Sequence, residues 1–325
     1  MATSAARTEL VPQLWSKKVW ADAEKELYFK VHGFIGEGED SIIQKKTNLA
    51  KNPGDTDTFP LVMKLSGNGI TGDSTLEGNE ESLTDYYMTV SIDQIRHGVR
   101  LAGKLEEQKA AYSLREQAKS KLKTWLAEYL NDLMFTTLGT SPTTNRKFLC
   151  SADHSTVGTL DSTDLLTTAY ISEIKRKAML ASPKIRPITI KGKKHYVMVV
   201  HPYVARDLKL DEKWLNAQKD ANLRGEDNPL FSGALGVWDG VILHEHESVL
   251  RDTDGASSAY VAYNLFMGCQ AGVWEVAKEP FWKEKEFDYQ NQVGFATGLI
   301  HGFKKSVFNS EDYGLITAVA SAAAD

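Results

Sequence analysis

Apolar positions along the chain change their period several times, and each change marks an element. The longest helical stretch runs from Ile92 to Leu138. There Ile92, Ile95, Val99, Ala102 and Leu105, then Leu114, Ala118, Leu122, Trp125, Leu126, Tyr129, Leu130 and Leu133, recur at helical spacing. The pattern predicts one long helix. Ser91 with Gln94 supplies a capping-box start, Gly139 a C-terminal stop, and Glu106 with Lys109 and Glu116 with Lys119 ion pairs on the polar side. Gly98 and Gly103 are positions for a bend. At ~1.5 Å per residue the rod is roughly 70 Å long, against roughly 50 Å for the diameter of a compact globule of this size. Such a spine suits an elongated subunit whose ends reach other molecules.

Before the spine, Leu14, Trp15, Val19, Trp20, Ala23 and Leu27 predict a short amphipathic helix behind Pro12. Its tryptophans must cover a surface, either the subunit's own core or a neighbour. Phe59, Leu61, Met63 and Leu65, then Tyr86, Met88 and Val90, alternate as strands do. The connection between them, GNGITGDSTLEGNEESLTD, holds four glycines and five acids, Asp73, Glu77, Glu80, Glu81 and Asp85, and no Lys or Arg occurs from Leu65 to Ile95. It is too long for a tight hairpin, and a two-strand ribbon alone is marginal. It must fold back on its own domain or lie across another chain.

After the spine, Asp164 to Ser182 reads as a helix, Ile188, Ile190 and His195 to Val200 as strands closed by Pro202, and Tyr203 to Asp220 as a helix. GVILHEHESVL is a strand with His244 and His246 on one face and Glu245 and Glu247 on the other. The remainder, rich in aromatic and β-branched residues broken by glycines, predicts short strands of a mixed sheet, with Ile316 to Ala324 as the last.

Composition narrows the class. With 42% apolar and 25% charged residues the chain is ordinary globular material, and a net charge of −5 gives no basic footprint for nucleic acid. Cys150 and Cys269 fit a reducing compartment, with one bridge between them left open. No apolar run approaches the ~20 residues of a membrane span, MATSAARTEL has no leader-like core, and a start at Met1 gives no sign of a removed propeptide, so a soluble chain is expected.

Catalytic motifs are weak. Gly67, Gly69 and Gly72 match GxGxxG after a strand, but acids and Gly78 follow where a dinucleotide fold needs an apolar helix, so a flexible loop is favoured. His244 and His246, with His195 or His201 as a third, could form a three-histidine zinc site. No fixed ligand spacing supports it, and half-exposed strand histidines are expected instead. Asp252, Asp254 and Gly255 resemble a calcium loop without its remaining ligands, hence a turn. No catalytic residue, cofactor or metal is assigned.

The order of segments carries a further signal: a Trp-bearing arm, an acidic ribbon ending EGNEESL, a spine running from SIDQIR to KLKTWLAEYLNDLMF, then HYVMVVHPYVARDL, NPLFSGALGVWDGVILHEH and NQVGFATGLIHGFKKSVFNSEDYGLI. In this combination the chain resembles tailed-bacteriophage major capsid proteins, and within them the N-four-type phage capsid family, from about Leu10 to Val319. The resemblance implies an α+β chain of the HK-ninety-seven-type capsid fold. Its parts would be an N-terminal arm (1–54), an extended loop (55–91), a peripheral domain with the spine helix (92–160 and 296–325) and an axial domain (161–295). It implies a structural, non-enzymatic subunit that self-assembles into hexamers and pentamers of an icosahedral head around double-stranded DNA. The partners would be further copies, a portal, and cementing or scaffolding proteins. DNA would be enclosed without sequence-specific contact, no membrane would be involved, and the virion would be the location after assembly in the host bacterial cytoplasm. Trp15, Trp20, Asp73, Glu77, Glu80, Glu81 and Asp85 are the candidate intersubunit residues. The alternatives are an encapsulin-like compartment shell and an α/β enzyme using the 67–72 glycine loop.

Overall fold

A computed structural model describes residues 20–23, 26–67, 69–109, 113–190, 192–221 and 234–324. Trp15 and most of the predicted first helix lie outside the described residues. In chain order the elements are helix α1 (Tyr28–Val31), strands β1 (Ile35–Gly36) and β2 (Ile43–Lys46), helix α2 (Asn48–Lys51), and strands β3 (Thr56–Val62), β4 (Asp85–Ser91) and β5 (Asp93–Arg100). Helices α3 (Lys104–Lys109) and α4 (Leu114–Gly139), strand β6 (Lys147–Leu149), helix α5 (Thr168–Leu180), and strands β7 (Ile188–Ile190) and β8 (Lys193–Val200) follow. Then come helices α6 (Pro202–Leu210) and α7 (Glu212–Ala221) and strands β9 (Ala234–Trp238), β10 (Val241–Glu245), β11 (Arg251–Asp252), β12 (Val261–Met267), β13 (Gly272–Phe287), β14 (Gln292–Lys305), β15 (Val307–Phe308), β16 (Glu311–Asp312) and β17 (Leu315–Ser321).

The single helix expected over 92–138 is not what forms. Residues 93–100 are strand β5, paired antiparallel with β14 from Asp93 opposite His301 to Arg100 opposite Gly294. Spacing by four satisfies a helix and a strand alike, because four is also twice the strand period. Ile95, His97 and Val99 therefore share one strand face, and His97 lies 4.6 Å from the Trp125 ring, centroid to centroid. The helix proper is α4, of 26 residues and ~39 Å. Its cap is Ser113, whose Oγ accepts from the Glu116 amide at 3.3 Å.

Along α4 the buried positions 118, 122, 126, 130, 134 and 138 recur every fourth residue. A step of four on a helix of 3.6 residues per turn advances the stripe by about 40°, so the buried face winds around the rod. Its N-terminal half covers Leu101, Trp282 and Phe295. Its C-terminal half covers Phe29, Ile43, Trp274 and Leu299, and beyond them Val199 and Leu265. The rod thus bridges two sheets.

The first sheet has the order β1-β2-β13-β14-β5, and the second runs β6-β17-β12-β8-β10-β9 with β7 and β11 attached. The second sheet is buried on both faces. Val197, Val199 and Leu265 face the α1 and α4 side, while Tyr196, Met198, Val200 and Phe266 face α5, α6 and α7. That explains the unbroken apolar run YVMVV. Strands β13 and β14, of 16 and 14 residues, form one long hairpin instead of the short strands expected. The glycines of β14 do not end it. A Cβ on Gly298 would stand 2.4 Å from the Ile95 carbonyl oxygen, and one on Gly302 would stand 2.2 Å from that of Ser91, so both allow close backbone approach inside the strand. Pro202 opens α6, and the helix expected over 203–220 divides at Asp211 into α6 and α7. Both cysteines are free thiols and buried.

Candidate assembly surfaces

The ribbon is built as its alternation predicts. Strands β3 and β4 pair antiparallel, from Thr56 opposite Ser91 to Val62 opposite Asp85, and form a sheet of their own. One face, Phe59, Leu61, Tyr86, Met88 and Val90, packs on Val273, Phe308 and Tyr313 of the body. Every described residue from Lys64 to Asp85 is exposed. Val62, Leu65, Ile70, Leu76, Leu83 and Tyr87 all turn apolar surface to solvent, with Leu83 and Tyr87 about 70% exposed (69% and 74%). Large apolar side chains gathered on a projecting arm are the mark of a contact surface.

The loop acids divide into two groups. Glu81 staples the two limbs of the loop together: its Oε1 accepts from the Ser66 amide at 2.7 Å and the Ser66 hydroxyl at 2.9 Å, and its Oε2 from the Gly67 amide at 2.6 Å. These bonds, the Ser66 amide foremost, hold its carboxyl below the usual range. Glu80 accepts from the Gly78 amide at 2.7 Å. Asp73, Glu77 and Asp85 make no ion pair or side-chain hydrogen bond among the described residues. No helix follows Gly72 before β4, so the arrangement a dinucleotide pyrophosphate needs is missing from the described loop.

Trp20 takes the covering role on its own chain. Its ring lies 6.1 Å from that of Trp274, with the Lys45 ammonium 5.9 Å from its centroid. Of the strand histidines, His195, His201 and His246 are half-buried, as expected, and His244 is not. His244 is 1% exposed, packed 4.7 Å from the ring of His32, a neighbour that sequence spacing does not reveal, while His246 stacks 4.5 Å from Phe135. His201 accepts from the Tyr203 amide and caps α6, so its Nδ1 is already engaged. A separate set, His154, Asp161 and Asp164, brings one donor atom each within 4.8 Å. Asp164 there accepts from His154 at 2.8 Å and the Asp161 amide at 2.7 Å, while Asp161 binds Thr163, which makes the set a tied turn.

A projecting ribbon, a rod joining two sheets and a loop built for contact define a shell-building subunit. Residues 4–324 match the family described as phage capsid protein, and the chain belongs to that family. It is 28% identical to the major capsid protein of Pseudomonas phage KPP25, over 95% of this chain and 94% of that one. Among solved structures it is similar to the capsid of Ralstonia phage GP4 (29% identity, TM-score 0.83, 92% of both chains). It is also similar to the Cyanophage Pam1 capsid asymmetric unit (27% identity, TM-score 0.80, 90% of this chain and 92% of that one). The protein is a major capsid protein of the tailed-phage fold, a structural component of the virion capsid that associates with its own copies; neither the enzyme nor the compartment reading is favoured.

Proposed function

We propose that this subunit forms hexamers and pentamers of an icosahedral head around double-stranded DNA, with the ribbon of each copy laid across the next. The carrying observation is the ribbon itself: every described residue from Lys64 to Asp85 is exposed, large apolar side chains turn outward, and among the described residues the packing on its own body is at its base. Because Glu80 and Glu81 are engaged within the loop, Asp73, Glu77 and Asp85 are the acids that meet Lys or Arg of a neighbour. Each such surface pair contributes ~0–1 kcal/mol, and the contact repeats around every capsomer. Trp15 remains a candidate contact of the N-terminal arm (1–54), whereas the packing of Trp20 on Trp274 favours a role within the subunit.

The division is 55–91 as the extended loop, 92–160 with 296–325 as the peripheral domain and 161–295 as the axial domain, with two adjustments. Pairing of β13 with β14 favours placing both in the peripheral domain, and pairing of β17 with β12 favours placing β17 in the axial one. A portal and cementing or scaffolding proteins complete the assembly in this reading, and the net charge of −5 favours enclosing DNA without sequence-specific contact. Deleting Gly69 to Ser82 tests the ribbon: the subunit should fold and fail to close shells, as seen by negative-stain microscopy. Normal heads from the deletion would remove the ribbon from the intersubunit contact.

A further inference from the structure

Half of the eight histidines lie in or beneath one short piece of chain, residues 20–23 and 26–34: His32 within it, and His244, His246 and His301 under it. Tyr28 sits 4.5 Å from the His246 ring, 4.6 Å from His32 and 6.1 Å from His244, and Phe34 sits 5.3 Å from His244. Trp20 rests on Trp274, whose Nε1 donates to Nδ1 of His301 at 3.3 Å. A neutral imidazole carries one N–H donor and one acceptor. At His244 both ring nitrogens are shielded and without a partner, a cost that phenylalanine in the same aromatic nest would avoid. A titratable ring in such a place calls for a use that its packing does not supply.

We propose that these four histidines form a proton-sensitive latch that holds residues 20–23 and 26–34 on the body at neutral pH and lets them lift in acid. The charges facing the latch are few. Asp132 and Glu247 lie near His246, Asp93 near His301, and Asp40 shares with His32 and His244 a cavity of about 240 Å³ that gives protons a route inward. Lys45 lies over the Trp20 and Trp274 rings, and Lys123 pairs with Glu26 at 2.6 Å beside Asp22. Glu245, on the far side of its strand, pairs with Lys209. Among the described residues no acid is hydrogen-bonded to His244, so a proton there has no direct counter-charge.

Burial drives all four rings below their ordinary value of 6.5, His244 and His301 to about 4, with His32 adding to the effect at His244. The sign follows. A histidine depressed in the closed state takes up its proton more readily once the segment lifts, so closure is at full strength above pH 6.5. It weakens as pH falls toward about 4, by about tenfold per pH unit for each proton taken up.

The test is hydrogen–deuterium exchange on assembled heads and on dissociated subunits, corrected for the intrinsic pH dependence of exchange. Between about pH 7.5 and about pH 5, peptides covering 26–34 should lose protection by about tenfold or more while those from β12 and α4 keep theirs. His244→Gln and His301→Gln should each make the profile shallower. Flat protection over 26–34 would overturn the latch, as would loss in step with β12 or a profile unchanged in both variants. If the variants do not assemble, the wild-type profile decides on the first two grounds.

Discussion

Leu122 is the position where the corrected helix can be tested most directly. It is 1% exposed, one turn into the buried stripe of α4, and it closes a small cluster with Leu101, Ala118, Trp282 and Phe295. Leu122→Ala leaves a void whose walls are two aromatic rings fixed on strands β13 and β14, which collapse poorly, so the cost sits toward the upper part of the usual ~2–5 kcal/mol. Leu122→Pro adds the loss of the hydrogen bond to the Ala118 carbonyl and a ring clash, ~3 kcal/mol or more. The sum of ~6–8 kcal/mol is comparable with the whole stability of an ordinary domain, ~5–15 kcal/mol. The proline variant should therefore give no soluble subunit, while the alanine variant should fold with a urea midpoint lowered by about 1.5 M, taking a slope of ~3 kcal/mol/M. Lys121→Pro separates the two contributions, because Lys121 is exposed and loses only the backbone part. Soluble, assembling Leu122→Pro would refute the placement of 114–139 in one continuous helix.

Gly98→Ala distinguishes strand from helix by sign: in a helix it would stabilise by ~1 kcal/mol, whereas on β5 its Cβ would stand 3.0 Å from the Phe295 carbonyl oxygen, so a lowered melting temperature is expected. Glu275 is buried, with one oxygen accepting from the Leu49 amide at 2.8 Å and the other unpartnered, and burial pushes its carboxyl above the ordinary 4.5. Its contribution is thus full below pH 4.5 and lost as pH rises, so Glu275→Gln should raise the urea midpoint at neutral pH and leave it unchanged in acid; the opposite order would contradict the assignment. Mature heads boiled in SDS with reductant should run as a single band near 36.1 kDa, because the described ribbon tip offers no amine and Lys64 is the one lysine near it. A persistent ladder would point to Lys64 as a cross-linking nucleophile.

The elements that sequence reasoning placed well are those whose signal is local and unshared by another period. Ribbon strands 56–62 and 85–91, helix 168–180 and the last strand at 315–321 all fall within a few residues of their expected places. Residues 92–100 went astray because Ile95 and Val99 are four apart, a spacing both periods allow, and because Ser91 with Gln94 imitates a cap. The true cap, Ser113 with Glu116, is the same motif nearly half of the way along, and Gly103 between them marks the break. Strand β14 was cut short on paper by its glycines, since sequence cannot tell a glycine that ends a strand from one that lets Ile95 and Ser91 approach it.

The surfaces obey a different logic. Ribbon acids could be counted from the sequence, but their roles could not, because whether Glu81 faces a neighbour or accepts from Ser66 and Gly67 depends on the fourteen residues between Ser66 and Glu81 closing a loop. The contact of His32 with His244 spans more than two hundred positions and has no motif. Both cases have one cause. Core patterns are written in periodicity because each residue repeats the same task of facing inward, whereas a staple or a latch is a single event between distant segments. A subunit that works by touching its neighbours draws its stability from the repeated kind and its assembly from the single kind. Its family is therefore easier to recognise from sequence than any one of its contacts.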